Sequence, residues 1–162
     1  MILYHGSYTA IEKPDLSFSR EKTDFGKGFY LTPLEDQAVR WAERFKEAHG
    51  KGVVSAYHFL EKASEKIAAD IRILEFNTHS LKWLQFITNC RLGQPVDDPF
   101  DIIIGGVAND KVIQTLQLYF REIISARDAI RRLRYNKPNF QHCFKNQKVI
   151  DQYLTFVESW QI

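Results

Sequence analysis

An α+β fold with mostly antiparallel strands is predicted from three observations. Short aromatic and β-branched segments alternate along the chain with segments whose apolar residues recur at helical spacing, in roughly equal share. Several connections lack the long crossover helix that parallel strands need; about ten mainly polar residues, for example, join Val53–Leu60 to Ile71–Phe76. No internal repeat or low-complexity stretch divides the 162 residues, a length suited to one domain spanning 1–162.

Ile2–His5 reads as a short first strand and Gly28–Thr32 as a second, entered through Asp24-Phe25-Gly26-Lys27 and stopped by Pro33. Leu34–His49 is a helix, because Ala38, Trp41, Ala42 and Phe45 fall on one helical face. Val53–Leu60 and Ile71–Phe76 are strands by composition. Ser80–Cys90 is a helix with Thr78 or Ser80 as its cap. Asp101–Ile104 is a buried strand, Asn109–Ile124 a long amphipathic helix, and Ser125–Arg134 a further helical turn or two. Asn139–Phe144 is the last strand, and Gln147–Trp160 is predicted as a closing helix.

Hydrophobic residues make up 44% of the chain and charged residues 26%, which excludes wholesale disorder. The net charge of +2 selects no class of partner. No apolar run approaches the roughly 18–20 residues of a membrane span, so no membrane partner is expected. The start, MILYHGSYTA, has neither the basic nor the apolar region of a signal peptide. Cys90 and Cys143 are too few for a disulfide framework or a cysteine-rich zinc site, so a reducing, cytoplasmic location is expected.

Charge is nonetheless uneven. Between Lys111 and Lys148 nine basic residues face two acidic ones, giving +7 and leaving −5 for the rest of the +2 chain. Its densest part, Arg131-Arg132-Leu133-Arg134-Tyr135, reads either as a solvated helix face or as a contact for phosphate or nucleic acid.

Phosphate-loop, dinucleotide-binding, nucleophile-elbow and zinc-protease motifs are all absent, and the five histidines show no metal-ligand spacing. What remains is a set of polar and aromatic residues on short strands. His5 ends the apolar run Ile2-Leu3-Tyr4 beside Gly6-Ser7. Tyr30 lies in Phe25-Gly26-Lys27-Gly28-Phe29-Tyr30-Leu31-Thr32, where two glycines permit a close backbone approach. Taken alone, each reads first as structural, His5 as a satisfied histidine at a strand end and Tyr30 as a core aromatic after a turn, and only second as a ligand contact.

Taken together, Leu3-Tyr4-His5-Gly6-Ser7 and the glycine strand through Thr32 resemble the NAD-binding half of the diphtheria-toxin-like ADP-ribosyltransferases, which include the poly(ADP-ribose) polymerases. The resemblance is closer to a bacterial family of ADP-ribosyltransferase-like proteins often encoded beside a small partner in toxin–antitoxin fashion. It extends through Gln37-Ala38-Val39-Arg40-Trp41-Ala42, Phe100–Asp110 and Asn139-Phe140-Gln141-His142-Cys143-Phe144.

That resemblance implies two small sheets packed at an angle with NAD in the cleft between them. His5 would hydrogen-bond a ribose hydroxyl, and the Gly6 backbone would grip the nicotinamide carboxamide. Tyr30, on the strand entered through Gly28, would stack on the nicotinamide, with Trp41 as the second ring; aromatic faces attract a flat pyridinium cation. Ser7, Lys27 and Arg20 are candidate donors for the pyrophosphate. The glutamate of the polymerase triad is matched by Gln141, which keeps a hydrogen bond but neither the charge nor a general base. Strand alternation turns neighbouring His142 the other way. The implied activity is mono-ADP-ribosylation of an unknown protein or nucleic-acid acceptor by a toxin with a small antitoxin partner. A weak or inactive relative that binds NAD, ADP-ribose or nucleic acid is the alternative, and an RNA phosphotransferase on the same fold is a third. Lys62–Asp70 and Arg91–Phe100 are either acceptor-recognition loops or plain connectors.

Overall fold

The computed structural model describes residues 1–60, 71–108, 110–134 and 139–162. The fold is α+β, with two small sheets and five helices among the described residues. Residues 62–70, Asn109, Tyr135 and Lys137 lie outside them.

The first sheet runs β1 (Ile2–Ser7), β3 (Val53–Phe59), β7 (Leu154–Gln161), antiparallel throughout. The second runs β2 (Phe29–Leu31), β6 (Phe140–Phe144), β5 (Ile102–Gly106), β4 (Ile73–Glu75). Only its β4–β5 pair is parallel. Those two strands are joined through helix α2 (Leu81–Leu92), the crossover that parallel pairing demands. Ser80 rather than Thr78 caps α2, accepting from the Trp83 N–H, and Gly93 closes it in the left-handed conformation.

Helix α1 (Glu35–His49) has acidic residues in its first turn, Lys46 and His49 in its last, and left-handed Gly50 beyond. It buries Ala38 and Ala42 with Val54 against one face of the first sheet. The opposite face of that sheet contributes Leu3, Tyr57 and Phe59 to a core shared with Phe29, Leu31, Ile102 and Phe144 of the second sheet. The second sheet's other face is covered by α2, α3 (Asp110–Phe120) and α4 (Ala126–Leu133), through Trp83, Leu84, Ile87, Val112, Leu116, Ala129 and Leu133.

The closing helix predicted over Gln147–Trp160 is corrected. Helix α5 covers only Gln147–Tyr153, and Leu154–Gln161 is strand β7. The first part buries Val149, Ile150 and Tyr153 at helical spacing. From Leu154 the segment is rich in β-branched and aromatic residues and pairs with β3. Neither Gly nor Pro marks the change, so the helical reading runs on too far.

Among the described residues no helix is long and apolar enough to cross a membrane.

Candidate functional site

The two sheets meet at one backbone bridge. The Tyr4 N–H donates to Thr32 O (2.8 Å) and the Thr32 N–H to Tyr4 O (2.9 Å). In an antiparallel ladder, residues two apart direct their backbone groups to the same side. Gly6 therefore turns its N–H and C=O toward the β2 side, as Tyr4 does. An antiparallel continuation of the bridge would set Gly6 opposite Tyr30. No Gly6–Tyr30 backbone bond forms; the Tyr30 carbonyl instead takes Nδ1 of His5 at 2.7 Å. The sheets part there, and the parting presents the unused polar backbone of Gly6.

A carbonyl only accepts, so His5 carries its proton on Nδ1 and leaves Nε2 as a lone-pair acceptor. Burial holds the imidazole pKa below its ordinary value, outweighing the opposing pull of the Tyr30 carbonyl. The neutral ring packs on Phe29, with centroids 4.6 Å apart. Among the described residues Nε2 has no hydrogen-bond partner.

Gly6 is buried under α1. A Cβ there would collide with the carbonyl of Ala38 and lie 2.7 Å from the Ala42 nitrogen and 2.8 Å from Trp41 Cβ. This glycine lets a helix close on a strand, and the closure brings half-buried Trp41 beside the parting. Gly28, just before β2, likewise permits a close approach, for a Cβ there would strike Cys143 Sγ of β6. The close approaches that the glycines allow are thus within the protein.

Tyr30 shares one face of the second sheet with its cross-strand partner Cys143 and with Gln141, two residues away. Its hydroxyl donates to Gly26 O (2.7 Å), accepts from the Phe25 N–H (2.9 Å) and lies 2.7 Å from Thr23 Oγ1. Burial pushes its pKa far up. Buried Gln141 donates from Nε2 to Asp24 Oδ2 at 2.7 Å. His142 is buried and faces the opposite side, with its partners Leu31 and Ile104.

The junction thus joins His5, Gly6, Trp41 and Tyr30, with Gln141 on the Tyr30 face. Ser7 is buried at the end of β1, paired with Val53. Arg20 is exposed. Lys27 lines a separate cavity of about 590 Å³ with Arg72, Asp98, Asp101 and Lys145, which includes none of the junction residues. Arg127, Arg131 and Arg134 line an open groove of about 840 Å³ together with Leu81, Ile130 and Asp128, the last ion-paired with Arg131 at 3.2 Å.

Two buried polar residues carry no motif in the sequence. Asp24 gathers Gln141, Arg91 and the Ala108 N–H. Gln37 on α1 is 3% exposed, yet neither atom of its amide has a partner among the described residues. Gln37 precedes Trp41 by four residues and so lies along the same side of the helix. An aspartate in a glycine loop and a glutamine in a polar first turn carry no sequence signal of burial.

The family described as "protein of unknown function (DUF3990)" matches residues 1–156. The chain belongs to this family. No curated protein and no solved structure matches it. The DUF3990 match takes in every junction residue, from His5 to Gln141.

Proposed function

We propose that this DUF3990 chain is an NAD-dependent mono-ADP-ribosyltransferase, acting in the cytoplasm as the toxin of a toxin–antitoxin pair. The observation that carries the reading is the parting of the two sheets beyond Tyr4–Thr32. There a neutral imidazole acceptor, the unpaired backbone edge of Gly6, the Tyr30 carbonyl and the base of the Trp41 side chain meet, brought from β1, β2 and α1. The order of motifs that resembles the transferases supports the same assignment.

In this reading NAD is the co-substrate that supplies the ADP-ribosyl group, with nicotinamide as the leaving group. The Gly6 N–H and C=O match the carboxamide's acceptor and donor. Tyr30 and Trp41 provide ring faces for the pyridinium. His5 Nε2 accepts from a ribose hydroxyl. Gln141 accepts from the ribose hydroxyl beside the breaking bond and adds no charge, so positioning carries most of the rate. The acceptor is a protein or nucleic acid, and the basic groove at Arg127, Arg131 and Arg134 suits an acidic one.

One observation favours a second reading, NAD binding without turnover: position 141 holds an amide, and His142 faces away from it. Nicotinamide release from NAD by the purified protein, with and without cell lysate, separates the two. Release that requires lysate and is lost in Tyr30→Ala supports the transferase. Release without lysate indicates hydrolysis. Saturable NAD binding with no release supports the binding module, and absence of both overturns the NAD assignment.

A further inference from the structure

Asp24 is a carboxylate 7% exposed at the start of the glycine loop. Four donors converge on it. Arg91, from the last turn of α2, reaches Oδ1 through Nε at 2.8 Å and through Nη2. The Ala108 N–H, just past β5, reaches Oδ2 at 3.0 Å, and Gln141 Nε2, on β6, reaches the same oxygen at 2.7 Å. The contacts decide which way the Gln141 amide points. Turned over, it would set Oε1 against a carboxylate oxygen, lone pair against lone pair; as built, it donates. Oε1 then has no partner among the described residues.

The residues on either side of Asp24 hold Tyr30. Thr23 Oγ1, the Phe25 N–H and the Gly26 carbonyl surround its hydroxyl. A single segment, 23–26, therefore clasps both Tyr30 and Gln141.

We propose that Asp24 is a positioning residue that orients the Gln141 side chain, so that its carbonyl oxygen and not its amino group is offered to the ribose of NAD. This rests on the transferase reading. It also gives a physical reason for glutamine at position 141. A glutamate there would bring two carboxylates within hydrogen-bond distance in a buried site, and one would have to hold a proton. With Asp24 in place, glutamine is the side chain that can both donate inward and accept outward.

The test compares the wild type with Asp24→Asn, Gln141→Glu and the double variant. An asparagine offers one acceptor oxygen where Asp24 offers two, so Arg91 and Gln141 compete for it. The double variant restores the bond to position 141 with its polarity reversed, the Asn amide donating to the new carboxylate, while the Ala108 N–H, which shared that oxygen of Asp24, loses its acceptor. Three readouts are taken: the Gln141 side-chain amide resonances by NMR, assigned by their loss in Gln141→Glu; NAD affinity; and nicotinamide release.

Asp24→Asn is expected to shift the Gln141 amide resonances and to slow release by roughly 100-fold, the scale of a misplaced reacting group, with little change in NAD affinity. The double variant is expected to release nicotinamide faster than either single variant. A residue that served only packing would give no such rescue. Unchanged amide resonances in folded Asp24→Asn, or a double variant no faster than the slower single one, would overturn the proposal. If Asp24→Asn does not fold, the wild-type resonances decide: Gln141 amide shifts at unbonded values refute the orientation. A wild type that neither binds NAD nor releases nicotinamide overturns the transferase reading itself and the proposed use of Oε1, while the resonances still report on the orientation.

Discussion

His5 Nδ1 lies 2.7 Å from the carbonyl oxygen of Tyr30, so past Thr32 the two sheets are tied by a side chain and not by backbone. One bond does three things. It stands where a ladder bond would have run, which leaves the Gly6 edge unpaired. It fixes the imidazole tautomer with Nε2 as acceptor. And it links the strand carrying the first candidate residue to the strand carrying the second.

A pH dependence of stability follows. The folded-state pKa of His5 lies below the ordinary 6.5, chiefly through burial. Below that value the unfolded chain binds more protons than the folded one, so stability rises with pH there. Stability is full above about 6.5 and falls as the pH drops through the folded pKa. His79, also lowered by burial, acts in the same direction. Urea midpoints measured between about pH 7.5 and pH 5.5 should decline in the wild type and decline less in His5→Gln. Equal slopes in the two proteins would show that His5 is not buried as a neutral ring.

Tyr30→Phe separates the ring from its hydroxyl. The hydroxyl is engaged by the 23–26 segment, not turned outward, so the proposed nicotinamide stacking needs only the ring. Removing it strands the Phe25 N–H, a loss of about 1–3 kcal/mol for a buried unsatisfied group. The variant should melt at lower temperature yet keep nicotinamide release below its midpoint, whereas Tyr30→Ala should lose both. Release abolished in folded Tyr30→Phe would assign the hydroxyl a direct role in the chemistry.

Much of this was legible in the sequence, for identifiable reasons. The strand at Ile2, the Gly28–Thr32 strand and α1 are short segments with clean periodicity and Gly or Pro at their ends. The α5–β7 boundary was not, because no breaker separates the two periods there. Of the two loop glycines that permit a close approach, Gly28 makes one and Gly26 instead takes a left-handed turn; what approaches Gly28, Cys143, and the closure of Ala38 on Gly6 both depend on tertiary packing. Asp24 was invisible for a similar reason. Its partners lie 67, 84 and 117 residues away, and no local pattern joins them.

The two thiols should be inert in the native protein. Burial pushes Cys90 up to about 11 and Cys143 up to about 12, against the opposing effect of Lys145. The thiolate is the reactive form, so little is present near neutral pH. Both cysteines should resist iodoacetamide until denaturant is added. Labelling of Cys143 at a native rate faster than unfolding would show that the β2–β6 contact at Gly28 opens locally.

Gln37 provides the sharpest contrast between stability and binding. A buried amide with neither atom hydrogen-bonded lowers stability by about 1–3 kcal/mol relative to an apolar group of the same shape. Methionine has nearly that shape. Gln37→Met should therefore raise the melting temperature, by about 2–4 °C per kcal/mol in a chain of this size. The side chain lies one turn before Trp41, on the helix that closes over Gly6. If its amide meets a polar group of the ligand, the stabilised variant should bind NAD more weakly, since that group then loses its partner. A higher melting temperature with unchanged NAD affinity would remove Gln37 from the site. A lower melting temperature would show that the amide is bonded in the folded protein after all.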